Sequence, residues 1–200
     1  HDAPRFLTSF YNHGNYKTAA KPGDDPSYKT GIPDQETFQR VKLYLMHQFT
    51  NIGAPQIWNG DEMGMTGDDD PDCRKPLWWP EYDFEPEYLN NFQPGEKQLE
   101  DVGFNKEWFD FYKKIIKIRK ENPVLSHGEI SFMVADGKAL SYKRFDDKDE
   151  IIVMFNPGEK PHSFQLPAKA KYQDLMTEKT FTGSHINLPA LEGKILKRVD

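Results

Sequence analysis

Residues 53–64 read Gly53-Ala54-Pro55-Gln56-Ile57-Trp58-Asn59-Gly60-Asp61-Glu62-Met63-Gly64. The run 54–58 is short and apolar, the pattern of a strand buried on both faces of a parallel sheet. It stops at Asn59, Gly60 and two carboxylates. On its N-terminal side, Pro33-Asp34 announces a helix with Asp34 as N-cap. Phe38, Val41, Leu45, Phe49 and Ile52 then recur at helical spacing, and Gly53 is the expected stop. On its C-terminal side lies a long polar stretch, 63–104, rich in proline, carboxylates and aromatics. A structureless loop of that length is uncommon unless it is functional. A second helix follows, with Asn105 as N-cap and Trp108, Tyr112, Ile115 and Ile118 on its apolar face. Lys117, Arg119 and Lys120 suit the negative end of its dipole, and Asn122-Pro123 ends it. One parallel strand needs neighbours on both sides, and none is encoded here. The expectation is therefore a piece of an α/β barrel rather than a complete domain.

Further outward, residues 1–31 are rich in Gly, Pro, Asn and Asp and read mostly as loop, with a short helix near 5–11. After Pro123 the period changes from helical to alternating. Ile130, Phe132 and Val134 alternate, as do Leu140 and Tyr142, and then Ile151, Val153 and Phe155. Phe164 with Leu166, Tyr172 with Leu175, Ile186 with Leu188, and the run 195–199 continue the series. Asp136-Gly137 and Asn156-Pro157-Gly158 supply turns between them. This is the pattern of a small antiparallel β-sandwich. The expected boundary falls near 122–126, dividing the chain into 1–123 and 124–200.

Apolar residues make up 36% of the 200-residue chain, low for a compact domain, and aromatics at 14% partly compensate. The formal net charge of −6 argues against general nucleic-acid binding, which needs a basic face. No run of about 18 apolar residues is present, so no membrane span is encoded. Cys73 is the sole cysteine, which excludes an internal disulfide. That suits a reduced compartment and also many exported bacterial proteins; a periplasmic or secreted location is slightly favoured. No signal peptide is visible, and the opening His1-Asp2-Ala3-Pro4-Arg5 looks like the middle of a protein.

Three stretches resemble glycoside hydrolase family 13, the α-amylase family. His1-Asp2-Ala3-Pro4-Arg5-Phe6 resembles its fourth sequence region, at the end of the seventh barrel strand. Residues 53–64 resemble the eighth strand and the Gly-Asp-Glu after it. Asp69-Asp70-Pro71-Asp72-Cys73-Arg74-Lys75-Pro76 is similar to a segment of the neopullulanase and cyclomaltodextrinase branch. The helix ending Ile118-Arg119-Lys120-Glu121-Asn122-Pro123 resembles the last barrel helix, and the trailing β region resembles the family's domain C. The resemblance implies the last two βα units of a TIM (β/α)8 barrel followed by an antiparallel β-sandwich. Asn59 departs from the family pattern, where an aromatic often stands, and that puts fine specificity in doubt.

The family's mechanism is retaining and needs a nucleophilic carboxylate and an acid/base carboxylate. The resemblance puts both on barrel strands upstream of His1. It assigns Asp2 to a third carboxylate that stabilises the transition state by holding the 2-OH and 3-OH of the sugar being cleaved. His1 would touch the same sugar, Asp70 and Arg74 would bind the next glucose, and Arg5 would lie near these sites as a further substrate contact or ion-pair partner. The implied partner is an α-glucan oligosaccharide or polysaccharide, together with the N-terminal part of the barrel. The parent would be a hydrolase of α-1,4 bonds, with α-1,6 bonds as a second target. Two alternatives stand beside it: a transglycosylase of the same family, and a non-catalytic glucan-binding or structural module.

No cofactor is expected. The acidic run 68–72 has oxygen spacing similar to a calcium loop, but Pro71 interrupts it and the later Gly and Glu are missing, so a solvated loop is the expectation. Calcium belongs to the parent if anywhere. Trp78, Trp79 and Tyr82 suit sugar stacking and loop anchoring equally. Asp61 and Glu62 read as braces for the strand end. The histidines lack metal-ligand spacing, and Cys73 has no neighbour that would make it a nucleophile.

Overall fold

The computed structural model describes residues 2–13, 20–89 and 99–200. The chain forms two compact units, one of His1–Val41 with Gln56–Tyr112 and one of Lys42–Pro55 with Lys113–Asp200.

The first unit contains helix α1 (Phe6–Tyr11) and the N-terminal part of α2 (Gln35–Thr50). It also holds two 3-10 turns, Asp61–Met63 and Asp72–Arg74, and the start of α3 (Lys106–Glu121). Both expected N-caps form. Asp34 Oδ1 accepts from the Thr37 amide at 2.8 Å, and that bond holds its carboxyl below the ordinary range. Asn105 Oδ1 accepts from the Trp108 amide at 3.0 Å. Each bond satisfies an amide that the first helical turn leaves without a partner.

The stretch 63–104 is more ordered than its composition suggests. Strand β1 (Glu87–Tyr88) pairs antiparallel with β2 (Leu99–Glu100). Met63, Met65 and Trp78 are buried together, with Leu77, Phe84, Val102 and Phe104 packed against them. Trp78 therefore anchors the loop, whereas Trp79 and Tyr82 remain 45% and 65% exposed. Asp68 is buried too, so the acidic run is not the solvated loop its charge suggests.

Residues 54–58 form no strand. An extended run becomes a strand only through a ladder partner, and among the described residues none pairs with it. Ala54 is accordingly exposed and Ile57 and Trp58 only half-buried. Ile52 lies past the end of α2 and is 60% exposed, so it leaves the helix's apolar face.

The second unit combines the C-terminal parts of α2 and α3, the short α4 (Val124–His127) and six strands. These are β3 (Glu129–Ala135), β4 (Leu140–Phe145), β5 (Glu150–Asn156), β6 (His162–Asp174), β7 (Thr180–Leu188) and β8 (Glu192–Arg198). All neighbours are antiparallel, in the order β3-β4-β5-β8-β6-β7. Ile152 and Met154 of β5 share a core with Phe164, Leu166, Ala170 and Tyr172 of β6, Leu188 of β7 and Leu196 of β8. The other face of β5 meets α2, where the His47 ring lies 5.9 Å from Phe155 and 5.7 Å from Tyr142 of β4. Residues 151–156 are all buried, because β5 is covered on both faces.

Two irregularities depart from strict alternation. β3 shifts register between Phe132 and Val134, so Met133 and Val134 pack on the core while Phe132 is 57% exposed. A bulge of this kind moves every later side chain to the opposite face. β6 shifts between Gln165 and Ala170, and its end at Tyr172, Gln173 and Asp174 pairs with β8. Leu175 lies just outside β6.

Arg144 of β4 is completely buried. Its Nη1 donates to Thr50 O and Leu125 O, both at 2.7 Å. Its Nη2 donates to Gly128 O at 2.8 Å and its Nε to Glu129 O at 3.1 Å.

Candidate functional site

The described candidate residues all belong to the first unit. Asp2 and Arg74 are exposed and Asp70 is half-buried. The short turn Asp72–Arg74 brings Arg74 back over Asp70, and the two side chains form an ion pair. Arg74 Nη2 also lies 3.9 Å from Asp2 Oδ1. One guanidinium thus faces two carboxylates, one of them about seventy residues away in the chain. A fork of N–H donors between carboxylate acceptors can bind adjacent hydroxyls of a sugar, donating and accepting at once. His1 lies outside the described residues.

Arg5 occupies a different position. It is 3% exposed. Its Nε donates to Cys73 O at 2.8 Å and its Nη1 to Asn59 O at 2.8 Å. The same Nη1 lies 3.6 Å from Asp61 Oδ1, and the guanidinium stands 4.0 Å over the Trp58 ring. Arg5 therefore lies behind the exposed Asp2–Arg74–Asp70 cluster rather than in it.

The loop carrying Asp70 and Arg74 is tied at several points. The Arg5 amide donates to Gly67 O at 2.9 Å, and the Gly67 amide donates to Thr8 Oγ1 at 2.9 Å. The Asp69 amide donates to Ala20 O at 3.0 Å. A side chain at position 67 would put its Cβ 2.9 Å from Asp72 O and 3.0 Å from Cys73 Cα, so the loop closes only over glycine. Gly60 adopts φ +101°, and a Cβ there would meet Met65 Sδ at 2.5 Å.

Two buried carboxyls beside this loop were not singled out by sequence. Burial pushes Asp61 up to about 7; Arg5 opposes the shift and Glu62 adds to it. Burial also pushes Asp68 up to about 6, with the charge of Asp72 adding and Lys75 opposing. Asp68 and Asp72 line an open cavity of about 430 Å³ with Thr8, Thr66, Lys75 and Glu87. Lys75 Nζ lies 3.4 Å from Asp72 and 2.5 Å from Glu87. An adjacent Gly-Asp-Glu or Gly-Asp-Asp in the sequence signals carboxyls near a turn, but their burial depends on what packs above them. Among the described residues no group of three or more His, Cys, Asp or Glu is arranged to hold a metal ion. No helix among them is long and apolar enough to cross a membrane.

A family model described as the α-amylase catalytic domain matches residues 1–128. The chain is 36% identical over 160 residues to a cyclomaltodextrinase of Thermoanaerobacter pseudethanolicus, a match covering 79% of this chain and 24% of the relative. It is 32% identical over 124 residues to neopullulanase 2 of Thermoactinomyces vulgaris, covering 60% of this chain and 18% of that protein. The chain thus spans a quarter or less of these relatives. Among solved structures, it superimposes over its whole length on 37% of an α-amylase from Geobacillus thermoleovorans, with a TM-score of 0.67 at 19% identity.

Proposed function

The chain belongs to the α-amylase family, and we propose that it is the C-terminal part of a retaining α-glucan hydrolase of the neopullulanase, cyclomaltodextrinase or α-amylase kind. In this reading residues 1–123 complete the (β/α)8 barrel and 124–200 form the β-sandwich domain. The bonds cleaved are α-1,4, with α-1,6 as a second target. The nucleophile and the acid/base belong to barrel strands outside this chain, and the 200 residues alone are inactive.

The observation that carries the proposal is the convergence of Asp2, Asp70 and Arg74, three exposed or half-buried polar side chains from two distant segments. Asp2 acts as the transition-state stabiliser, because its hydrogen bonds to ring hydroxyls strengthen as the oxocarbenium-like state forms. Asp70 and Arg74 hold the neighbouring glucose, and His1 is a further contact. The names of the relatives support a glucan substrate.

The test is hydrolysis of maltooligosaccharides and pullulan by the protein that joins this chain to the preceding barrel strands. Asp2→Asn should lower kcat/KM by about 100-fold or more, and Arg74→Ala should raise KM with a smaller loss of kcat. Equal activity in wild type and Asp2→Asn would sink the assignment. An inactive longer protein that still binds maltooligosaccharide would favour a glucan-binding module. Predominant transfer to a second sugar would favour a transglycosylase.

A further inference from the structure

Arg5 holds both ends of the loop that carries Asp70. Its backbone amide donates to Gly67 O at 2.9 Å, and its side-chain Nε donates to Cys73 O at 2.8 Å. The carbonyl of Cys73 belongs to the peptide whose amide is that of Arg74, so the guanidinium restrains the backbone from which Arg74 projects. The other edge of the guanidinium is spent on Asn59 O at 2.8 Å and on Asp61 at 3.6 Å, with Trp58 under its face at 4.0 Å. Asp61 in turn is flanked by Glu62 and by Tyr112 of α3. At 3% exposure Arg5 has no surface to offer a sugar, yet it lies three residues from Asp2.

We propose that Arg5 is a positioning residue: anchored on Asp61 and Trp58, it closes the 67–73 loop onto the segment bearing Asp2 and sets Arg74 between Asp2 and Asp70. The inference rests on the reading of Asp2, Asp70 and Arg74 as glucan contacts, and its test separates the two. A lysine in place of Arg5 keeps the charge but has one nitrogen. It cannot reach Cys73 O and Asn59 O from a planar fork while stacking on an indole.

The experiment titrates the 200-residue chain with maltoheptaose by calorimetry and follows amide exchange at Asp72 and Arg74 by NMR. Wild type, Arg5→Lys, Asp61→Asn, Arg74→Ala and the Arg5→Lys/Arg74→Ala pair are compared. Arg5→Lys should weaken maltoheptaose binding about tenfold and speed exchange at both amides about tenfold, with amides of the β-sheet unchanged. The double variant should bind no more weakly than Arg74→Ala alone, since one residue acts through the other. Asp61→Asn should weaken binding in the same direction by about threefold, and it carries the test should Arg5→Lys not fold. Additive losses in the double variant overturn the proposal, because they make Arg5 an independent contact. Unchanged affinity and exchange in both Arg5→Lys and Asp61→Asn overturn it as well. Faster exchange in the variants of a wild-type chain that binds no maltoheptaose keeps the positioning role and removes the glucan reading beneath it.

Discussion

Arg5 in the first unit and Arg144 in the second are both buried, at 3% and 0% exposure, and they are satisfied differently. Arg144 donates only to backbone carbonyls, those of Thr50, Leu125, Gly128 and Glu129. Arg5 donates to two carbonyls and faces a carboxyl, Asp61, that burial drives toward neutrality. The second unit surrounds its arginine with a continuous apolar core. The first holds a smaller core of Met63, Met65 and Trp78 and depends more on polar ties. A buried guanidinium is the same device in both, but its partners decide whether the region it holds responds to pH.

The comparison breaks most directly at Arg144. Replacing it with methionine strands buried carbonyls, each costly to leave without a donor. Urea denaturation should show a loss of roughly 3–5 kcal/mol. A loss below about 1 kcal/mol would mean that water or a shifted backbone satisfies those carbonyls.

The next effect is the response to pH, which should have opposite sign in the two units. Asp61 titrates near 4 when unfolded and is pushed up to about 7 when folded. Between those values only the folded state keeps the proton, so unfolding releases one. Stability is full below about pH 4, falls as pH rises, and levels above about 7, with a slope on the order of 1 kcal/mol per pH unit. Asp68, pushed up to about 6, acts in the same direction. Amide exchange in the first unit should therefore quicken from pH 5 to pH 8, and Asp61→Asn should remove much of that change.

His47 gives the second unit the reverse dependence. Asn51 Oδ1 accepts from the Ile52 amide at 2.7 Å, which turns the Asn51 Nδ2 toward His47 Nε2 at 3.1 Å. Nε2 is thus an acceptor, and Nδ1–H points to the Tyr142 hydroxyl at 3.2 Å. Tyr142 passes its proton to Thr50 Oγ1 at 2.6 Å, and Thr50 donates to Met46 O at 2.6 Å. Protonating Nε2 would set two donors against each other, and burial already holds the His47 pKa below its ordinary value. The stability this supplies is present above about pH 6.5 and is lost as pH falls. His47→Gln should flatten the acid limb of exchange in the sheet; an unchanged limb would show that another group is responsible.

Smaller effects sharpen the picture. Asp34→Ala and Asn105→Ala each remove a helix cap and should cost about 1 kcal/mol in denaturant unfolding. Arg40→Ala breaks an exposed pair with Glu36 at 2.7 Å, with side chains 40% and 61% exposed. It should change stability by less than about 0.5 kcal/mol. A larger change there would mean that surface ion pairs carry more of the first unit than its polar ties do.

What the amino-acid order determined is local. Asp34 and Asn105 begin helices because a side-chain oxygen three residues upstream meets an amide, and Pro123 ends one because it has no amide to give. Alternation marked most strands of the β-sandwich because each needs only one buried face. What only the tertiary structure decided depends on partners far along the chain. Residues 54–58 have the composition of a buried strand but no ladder to join. Phe132 faces outward because a bulge reverses its phase. Trp78 is buried and Trp79 is not, a difference that adjacent identical residues cannot announce. In the candidate site, motif spacing was enough to single out Asp2, Asp70 and Arg74. The burial of Arg5, and its hold on the carbonyl of Cys73 across 68 positions, followed only from folding, because a guanidinium selects its acceptors by where they end up in space.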